Sequence, residues 1–78
     1  MSFFKILVVI LLLFNERLKE IRKSKNITQL QVATFVGITD RYYQELEYGK
    51  KEPTLSKLLA LADFFEVSLD YLTGRTDK

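Results

Sequence analysis

The sequence lacks the residue types on which most catalytic and metal-binding sites depend. Among its 78 residues there is no Cys and no His, and there are only three Gly and one Pro. Without Cys there is neither a disulfide framework nor a thiolate metal site, and without His the commonest general base and metal ligand are missing. The four serines form no nucleophile elbow, and there is no glycine-rich phosphate loop. We therefore predict that the chain is not an enzyme and needs no metal and no cofactor.

The composition that remains is that of one small domain with an uneven charge. Apolar residues make up 47% of the chain, which is enough for a packed core at this length. The net charge is only +2. However, residues 16–51 carry eight Lys or Arg against five Asp or Glu, whereas residues 52–74 carry one Lys against four acids. A polyanion is therefore expected to meet the first half of the chain.

The first fourteen residues, MSFFKILVVILLLF, differ from the rest of the chain. Residues 6–14 form an unbroken run of nine apolar residues, whereas a membrane-spanning helix needs about 20. Three interpretations stay open. Residues 1–13 come from an over-long reading frame, or they form an ordered helix or strand that covers apolar surface or joins subunits, or they attach to a membrane surface. We favour the ordered extension and do not expect a membrane as a partner.

Capping residues divide the remainder of the chain into five short helices. Asn15 is expected to cap a first helix that runs to about Lys25, with Leu18 and Ile21 turned inward. The stretch TQLQ at 28–31 has the pattern of a capping box. Further caps are expected at Thr39, Thr54 and Ser68. Gly37 is expected to leave the second helix with φ > 0, and Gly49 to end the third, whereas Glu66 follows the fourth helix where a left-handed exit would favour Gly or Asn.

Apolar spacing predicts which sides of two helices face the core. The second helix is expected to bury Leu30, Val32, Ala33 and either Val36 or Phe35. The fourth has apolar residues three and four apart, at Leu55, Leu58, Leu59, Ala62 and Phe65. Phe64 stands outside that stripe. The pattern leaves open whether Phe64 completes the core beside Tyr71 or lies at a subunit interface.

Two helices joined across the residues FVGIT at 35–39 form the most informative unit. Ala33 is small, as needed where a second helix crosses closely, and Gly37 supplies the turn. Tyr43 and Leu46 are three residues apart and face inward. This spacing is typical of a helix-turn-helix, whose second helix lies in the major groove of DNA.

Longer stretches around this unit resemble a known family. They are ITQ at 27–29, ELEYGKKEP at 45–53 and LADFFEVSLDYL at 61–72, together with Ala33 and Gly37. Over residues 15–74 the chain is similar to the Cro and phage-repressor type helix-turn-helix (XRE) family of transcriptional regulators. The resemblance implies an all-α, five-helix, lambda-repressor-like DNA-binding domain with a helix-turn-helix, preceded here by a hydrophobic N-terminal extension.

The resemblance also implies roles for individual residues. The recognition helix, at about 39–48, carries the base-reading candidates Thr39, Asp40, Arg41, Tyr42, Gln44 and Glu45, of which Asp40, Arg41 and Glu45 match the positions that most often read bases. The phosphate candidates are Gln29, Thr28, Tyr48, Lys50 and Lys51. Arg22 and Glu47 match a buried or half-buried pair that links the first and third helices. The C-terminal helix, around residues 67–72, often joins two subunits.

The charges and rings of the recognition helix suit these roles unequally. Arg41 can bind guanine through two hydrogen bonds, a contact that contributes about 1–3 kcal/mol of discrimination. Asp40 and Glu45 repel phosphates, so they either filter sequences or are helix charges that pair with Arg41. Tyr43 is expected in the core, whereas Tyr42 and Tyr48 are expected to point outward, where a hydroxyl can bond a phosphate.

We therefore divide the chain into an apolar N-terminal extension at 1–13, a helix-turn-helix domain at 14–74 and a polar tail at 75–78. The predicted function is sequence-specific binding of double-stranded DNA in the cytoplasm, by a small transcriptional repressor of phage or bacterial type. A homodimer is expected, joined through the C-terminal helix region, with the N-terminal extension as a second candidate contact, and no small-molecule substrate is expected. The alternative is a protein-interaction module, such as an antitoxin or anti-regulator built on the same fold.

Overall fold

Five α-helices make up the secondary structure of the computed structural model, which describes the backbone of residues 3–74 and the side chains of residues 14–74. They are α1 (Phe3–Ser24), α2 (Gln29–Val36), α3 (Asp40–Tyr48), α4 (Leu55–Phe65) and α5 (Leu69–Leu72), with no strand in this part of the chain. The predicted all-α, five-helix fold is confirmed. The predicted polar tail at 75–78 lies outside the described residues.

Helix α1 begins at Phe3, so the prediction that Asn15 caps the first helix is wrong. The run before Asn15 contains leucines, which are good helix formers, and the helix continues through it. Asn15 instead lies within α1 with its side chain against Gly49, where an added Cβ atom would overlap the Asn15 amide. The boundary predicted between residues 13 and 14 therefore falls inside one continuous helix.

The other helix starts are capped as predicted. Thr28 and Gln31 form the complete capping box: the Thr28 hydroxyl accepts from the Gln31 backbone N–H at 3.1 Å, and the Gln31 side-chain oxygen accepts from the Thr28 N–H at 2.8 Å. The hydroxyls of Thr39, Thr54 and Ser68 each accept from the backbone N–H three residues further on. Because such a hydroxyl satisfies a donor that the helix leaves unpaired, each cap contributes about 1 kcal/mol.

Three helices end in the left-handed backbone conformation, which was predicted for Gly37. Gly37 closes α2 with φ at 76°, and Gly49 closes α3 with φ at 77°. Glu66 closes α4 with φ at 58°. Because Glu66 carries a Cβ atom, this conformation costs roughly 1–2 kcal/mol there.

The core forms where α1 packs on α3 and α5, and where α2 packs on α3 and α4. Val32, Ala33, Tyr43 and Leu46 come from the predicted helix-turn-helix unit, and all four are buried as expected. Among residues 14–74, the buried apolar side chains are Phe14, Leu18, Val32, Ala33, Tyr43, Leu46, Leu61, Ala62, Phe65 and Leu72.

Three apolar residues that were assigned to the core are exposed instead: Leu30 on α2, and Leu55 and Leu59 on α4. Of the two alternatives on α2, Val36 packs against the core and Phe35 is exposed. Helix α2 has only eight residues, and Val32 and Ala33 fill its buried side with Val36 beside them. Leu58, Leu61 and Phe65 do the same on α4, so the outer leucines have no core to enter.

Of the two places left open for Phe64, the described residues show the one in the core, although its ring contacts are to Phe65 and Phe35. Its half-buried ring packs against the core, edge to face with Phe65 at a centroid distance of 4.9 Å. The ring of Phe35, on α2, lies 5.5 Å from the Phe64 ring, centroid to centroid. Phe64 therefore joins α4 to α2, while Tyr71 contacts α1 through the guanidinium of Arg17, 4.6 Å from the Tyr71 ring centre.

None of the helices within residues 3–74 combines the length and the apolar character that crossing a membrane requires.

Candidate nucleic-acid interface

A short turn between α2 and α3 sets the direction of α3. Ala33 lies in the last turn of α2, and its carbonyl accepts from the N–H groups of both Gly37 and Ile38. Thr39 then caps α3, so only three residues separate the two helices. Ala33 is buried, and α2 packs closely on α3. The chain therefore has the helix-turn-helix arrangement, with α3 as its second helix.

Helix α3 has one buried side and one open side. Tyr43 and Leu46 are buried as the spacing predicted, and Glu47 is buried as the family resemblance implied. On the open side, the Arg41 side chain is 90% exposed, and the ring of Tyr48 is exposed near the end of the helix. Among the other base-reading candidates, Thr39 is also exposed, whereas Asp40, Tyr42, Gln44 and Glu45 are half-buried.

Tyr42 does not point freely outward as predicted. The Tyr42 ring is partly buried and packs against the hydrophobic core. Tyr42 lies in the first turn of this nine-residue helix, at the boundary between the buried and open sides. Only part of the ring remains available to a partner, which makes Tyr42 a weaker base-reading candidate than Arg41.

A buried polar network holds α3 from below. The Arg22 Nε atom donates to Glu47 Oε2 at 2.6 Å, and Arg22 Nη2 donates to Glu47 Oε1 at 3.1 Å. A third donor, Gln29 Nε2, lies 3.1 Å from the same Oε1 atom. Arg22 Nη1 also donates to the Ile27 carbonyl at 2.9 Å. The predicted Arg22–Glu47 pair is present, and it ties α1, the loop before α2 and α3 together.

The network controls the charge of Glu47. Burial alone would raise the pKa of Glu47, but hydrogen bonds from Arg22 and Gln29 outweigh it and hold this pKa below its usual range. The hydrogen bond to Glu47 raises the pKa of Arg22 in turn. Burial also raises the pKa of the neighbouring Tyr43 hydroxyl far above its usual value, so Tyr43 stays neutral. The Glu47 charge is therefore paired inside the domain and does not face outward.

Two side-chain pairs lie outside the buried side of α3, and the two members of each pair are one helical turn apart. Gln44 Nε2 donates to Asp40 Oδ2 at 3.0 Å. Arg41 Nε lies 3.8 Å from Glu45 Oε1, a loose ion pair at i,i+4 spacing. Sequence reasoning anticipated an acidic partner for Arg41 but missed the Asp40–Gln44 pair. The i,i+4 spacing of a carboxylate and an amide is the signal that predicts it.

A basic groove of about 730 Å³ lies beside the start of α2 and the end of α3. It brings together three of the predicted phosphate candidates, Thr28, Gln29 and Tyr48, with Lys19 and Lys23 of α1. Neither lysine was among the residues that the sequence assigned to the site. The other two phosphate candidates, Lys50 and Lys51, are exposed in the loop after α3 and do not line this groove.

Comparison with known proteins agrees with this geometry. A family model described as helix-turn-helix matches residues 18–72. The chain belongs to this helix-turn-helix family. The match spans the helix-turn-helix unit, the Arg22–Glu47 pair and α5, and it confirms the membership that the sequence motifs predicted.

Relatives within the helix-turn-helix family include regulators from bacteria and their phages. An uncharacterized SPbeta prophage-derived regulator, YonR of Bacillus subtilis, is 45% identical over 64 residues, covering 82% of this chain and 59% of that protein. The cryptic phage CTXphi transcriptional repressor RstR of Vibrio cholerae is 43% identical over 60 residues, covering 77% of this chain and 54% of that protein. The chain thus spans little more than half the length of these relatives.

A solved structure from the same comparison shares the fold. It is the restriction-modification controller protein C.AhdI from Aeromonas hydrophila, which superposes with a TM-score of 0.75 at 29% sequence identity. The likeness covers 80% of this chain and 94% of that protein.

Proposed function

We propose that this helix-turn-helix protein binds double-stranded DNA sequence-specifically, with α3 in the major groove. The observation that carries the proposal is the division of α3 into a buried side, fixed by Tyr43, Leu46 and Glu47, and an open side that bears Arg41. A helix can read base edges only if its own position is fixed and its donors and acceptors face out. Arg41 is suited to guanine, which offers two acceptors in the major groove.

The residues on either side of α3 suit the DNA backbone. Lys19, Lys23 and Gln29 meet in the groove beside the start of α2, and Lys50 and Lys51 follow the end of α3. Phosphate contacts of this kind fix a protein's register on the duplex without reading sequence. The Gln29 side chain is held by Glu47 at 3.1 Å, so it is already oriented before DNA arrives.

The named relatives support a role in transcription. One is called a transcriptional regulator and another a transcriptional repressor, and the structural relative is called a controller protein. We therefore propose that this chain regulates transcription as a repressor in the cytoplasm, without catalysis and without a cofactor. The acidic second half of the chain is then kept away from the DNA.

The proposal includes a homodimer that binds a two-fold operator, with half-sites about 34–36 Å apart. Its contacts are proposed at residues 67–72 and in the N-terminal extension. Light scattering tests this directly on the full chain, and a chain that begins at Phe14 separates the two contacts. An unchanged dimer mass without residues 1–13 would remove the extension from the interface, and a monomeric full chain would overturn the dimer.

Salt dependence of DNA binding tests the function itself. Fluorescence anisotropy titrations with a labelled duplex measure the affinity at several salt concentrations. We expect a linear plot of log affinity against log salt concentration, with a slope of about −0.9 for each phosphate that is neutralised. A duplex that carries the operator should bind more tightly than one of scrambled sequence at every salt concentration. Absence of binding to any duplex at low salt would contradict the proposal and favour a protein partner.

A further inference from the structure

The hydrogen bond between Gln44 and Asp40 fixes the orientation of one base-reading candidate. A carboxylate only accepts hydrogen bonds, so the nitrogen of the Gln44 amide, and not its oxygen, faces Asp40 Oδ2 at 3.0 Å. The amide has two N–H groups, of which this bond uses one. Gln44 therefore offers a partner one acceptor, Oε1, and one remaining N–H donor.

Asp40 keeps this hydrogen bond for structural reasons. It is the first residue of α3, where the helix dipole favours a negative charge. Its second oxygen, Oδ1, is buried and accepts no hydrogen bond from any described residue. Among the described residues, Gln44 is therefore the side-chain hydrogen-bond partner of the half-buried Asp40 carboxylate. Breaking that bond would leave a charged acceptor unpaired.

The groups left on Gln44 match the major-groove edge of one base. Adenine presents a donor at N6 beside an acceptor at N7, so Oε1 and the free N–H can both pair. Cytosine presents only the N4 donor, and guanine presents only the acceptors N7 and O6. Guanine has no major-groove donor for Gln44 Oε1. The hydrogen bond to Asp40 also keeps the amide from rotating by half a turn to present its nitrogen in place of the oxygen.

We propose that Gln44 reads an adenine in the half-site and that Asp40 is the positioning residue that excludes guanine there. This assignment rests on the proposed binding of DNA by α3. It gives α3 two readers of different preference on its open side, with Gln44 for adenine and Arg41, which has only donors, for guanine. The acid at position 40 then acts through Gln44 and touches no base.

Base analogues test the contact with the unaltered protein. The duplex is first selected from a random pool by binding to the chain. The adenine read by Gln44 is the one whose substitution weakens DNA binding by the wild type but not by Gln44→Ala. Replacing it with purine, which lacks the 6-amino group, is expected to weaken wild-type binding about tenfold, within the range for one good base contact. Equal affinity for adenine and purine there, or no adenine that depends on Gln44, would overturn the assignment.

The role of Asp40 is tested with Asp40→Asn, which has the same shape. An asparagine can donate or accept, so the Gln44 amide can turn over and present two N–H groups to guanine. The ratio of affinities for adenine and guanine at that position is expected to fall several-fold. The preference at the position that depends on Arg41 should stay unchanged, which controls for loss of negative charge.

An unchanged ratio of adenine to guanine in Asp40→Asn would overturn the positioning role. Circular dichroism and a urea melt confirm that this variant folds, and the analogue experiment stands without any variant of Asp40. The proposed function fails separately: a wild type that enriches no sequence would refute binding by α3 altogether. Enrichment of a sequence without a Gln44-dependent adenine refutes only the inference about Gln44.

Discussion

Glu45 and Glu47 stand two residues apart on α3, and each faces an arginine, but in different surroundings. The Glu47 side chain is 1% exposed and accepts from Arg22 at 2.6 Å. The Glu45 side chain is 24% exposed and lies 3.8 Å from Arg41, which is 90% exposed. Burial therefore separates a pair that holds the helix in place from a pair that can exchange its partner for DNA.

The energetics of the two pairs differ for the same reason. An exposed ion pair contributes about 0–1 kcal/mol, because water and salt screen it and two long side chains lose freedom. A buried pair contributes little net stability as a unit, but removing one partner leaves the other charge uncompensated at a cost of about 3–5 kcal/mol. Substitutions on the buried side of α3 should therefore affect stability, and those on the open side should affect DNA recognition. The following variants test that separation.

The largest effect is expected for Glu47→Ala. It leaves the Arg22 charge without its carboxylate partner and Gln29 without its acceptor, so the free energy of unfolding in urea should fall by about 3–5 kcal/mol. Glu45→Ala is the matched control, with the same substitution two residues away, and should cost less than about 1 kcal/mol. Equal stability of Glu47→Ala and the wild type would break the comparison.

Acid should reproduce part of this loss without a substitution. The pKa of Glu47 is lowered by folding, so its contribution to stability is present above the unfolded value of about 4.3 and is lost as the pH falls through the lower folded value. Urea melts from pH 7 downward should show stability declining below about pH 4.3. In Glu47→Gln this decline should be shallower, and an identical pH profile would mean that other carboxylates cause it.

Arg41→Ala should show the opposite behaviour to Glu47→Ala. The exposed side chain makes only the loose pair with Glu45, so stability should change by less than about 0.5 kcal/mol. Discrimination at one base pair should fall by about 1–3 kcal/mol, measured by titrating operators that differ at single positions. A variant with unchanged affinity and unchanged sequence preference would show that α3 does not dock as proposed.

The smallest effect is expected for Lys50→Ala, in the exposed loop after α3. A phosphate contact reads no sequence, so binding should weaken equally for the operator and for scrambled duplexes. The slope of affinity against salt should flatten by about one unit. Lys25→Ala, an exposed lysine outside the basic groove, serves as the control and should keep the wild-type slope. A change of sequence preference in Lys50→Ala would contradict its assignment to the backbone.

Local chemistry explains which parts of the fold were predictable. The caps at Thr28 and Thr39 and the turn at Gly37 depend on hydroxyls and backbone angles within a few residues, which the sequence displays directly. The prediction that Asn15 caps the first helix was wrong because a good capping residue can also lie inside a helix. Here the Asn15 side chain makes a tertiary contact with Gly49 instead. Short-range patterns do not reveal that contact.

Burial was less predictable than helix positions. Phe35 is 76% exposed and Leu30 is exposed as well, although both lie in an apolar helix. An eight-residue helix has room for few inward positions, and the packing partners decide which apolar residues take them. The Arg22–Glu47 pair was predicted through the family resemblance, since its partners lie 25 residues apart and no local pattern joins them.

Selection of bound sequences from a random pool of duplex DNA tests the central claim most directly. The open side of α3, fixed from below by Glu47, is expected to enrich a two-fold symmetric site with half-sites 10–10.5 base pairs apart. Repeating the selection with Arg41→Ala should relax one position in each half-site and leave the others intact. Failure of the folded wild-type protein to enrich any sequence would contradict the account.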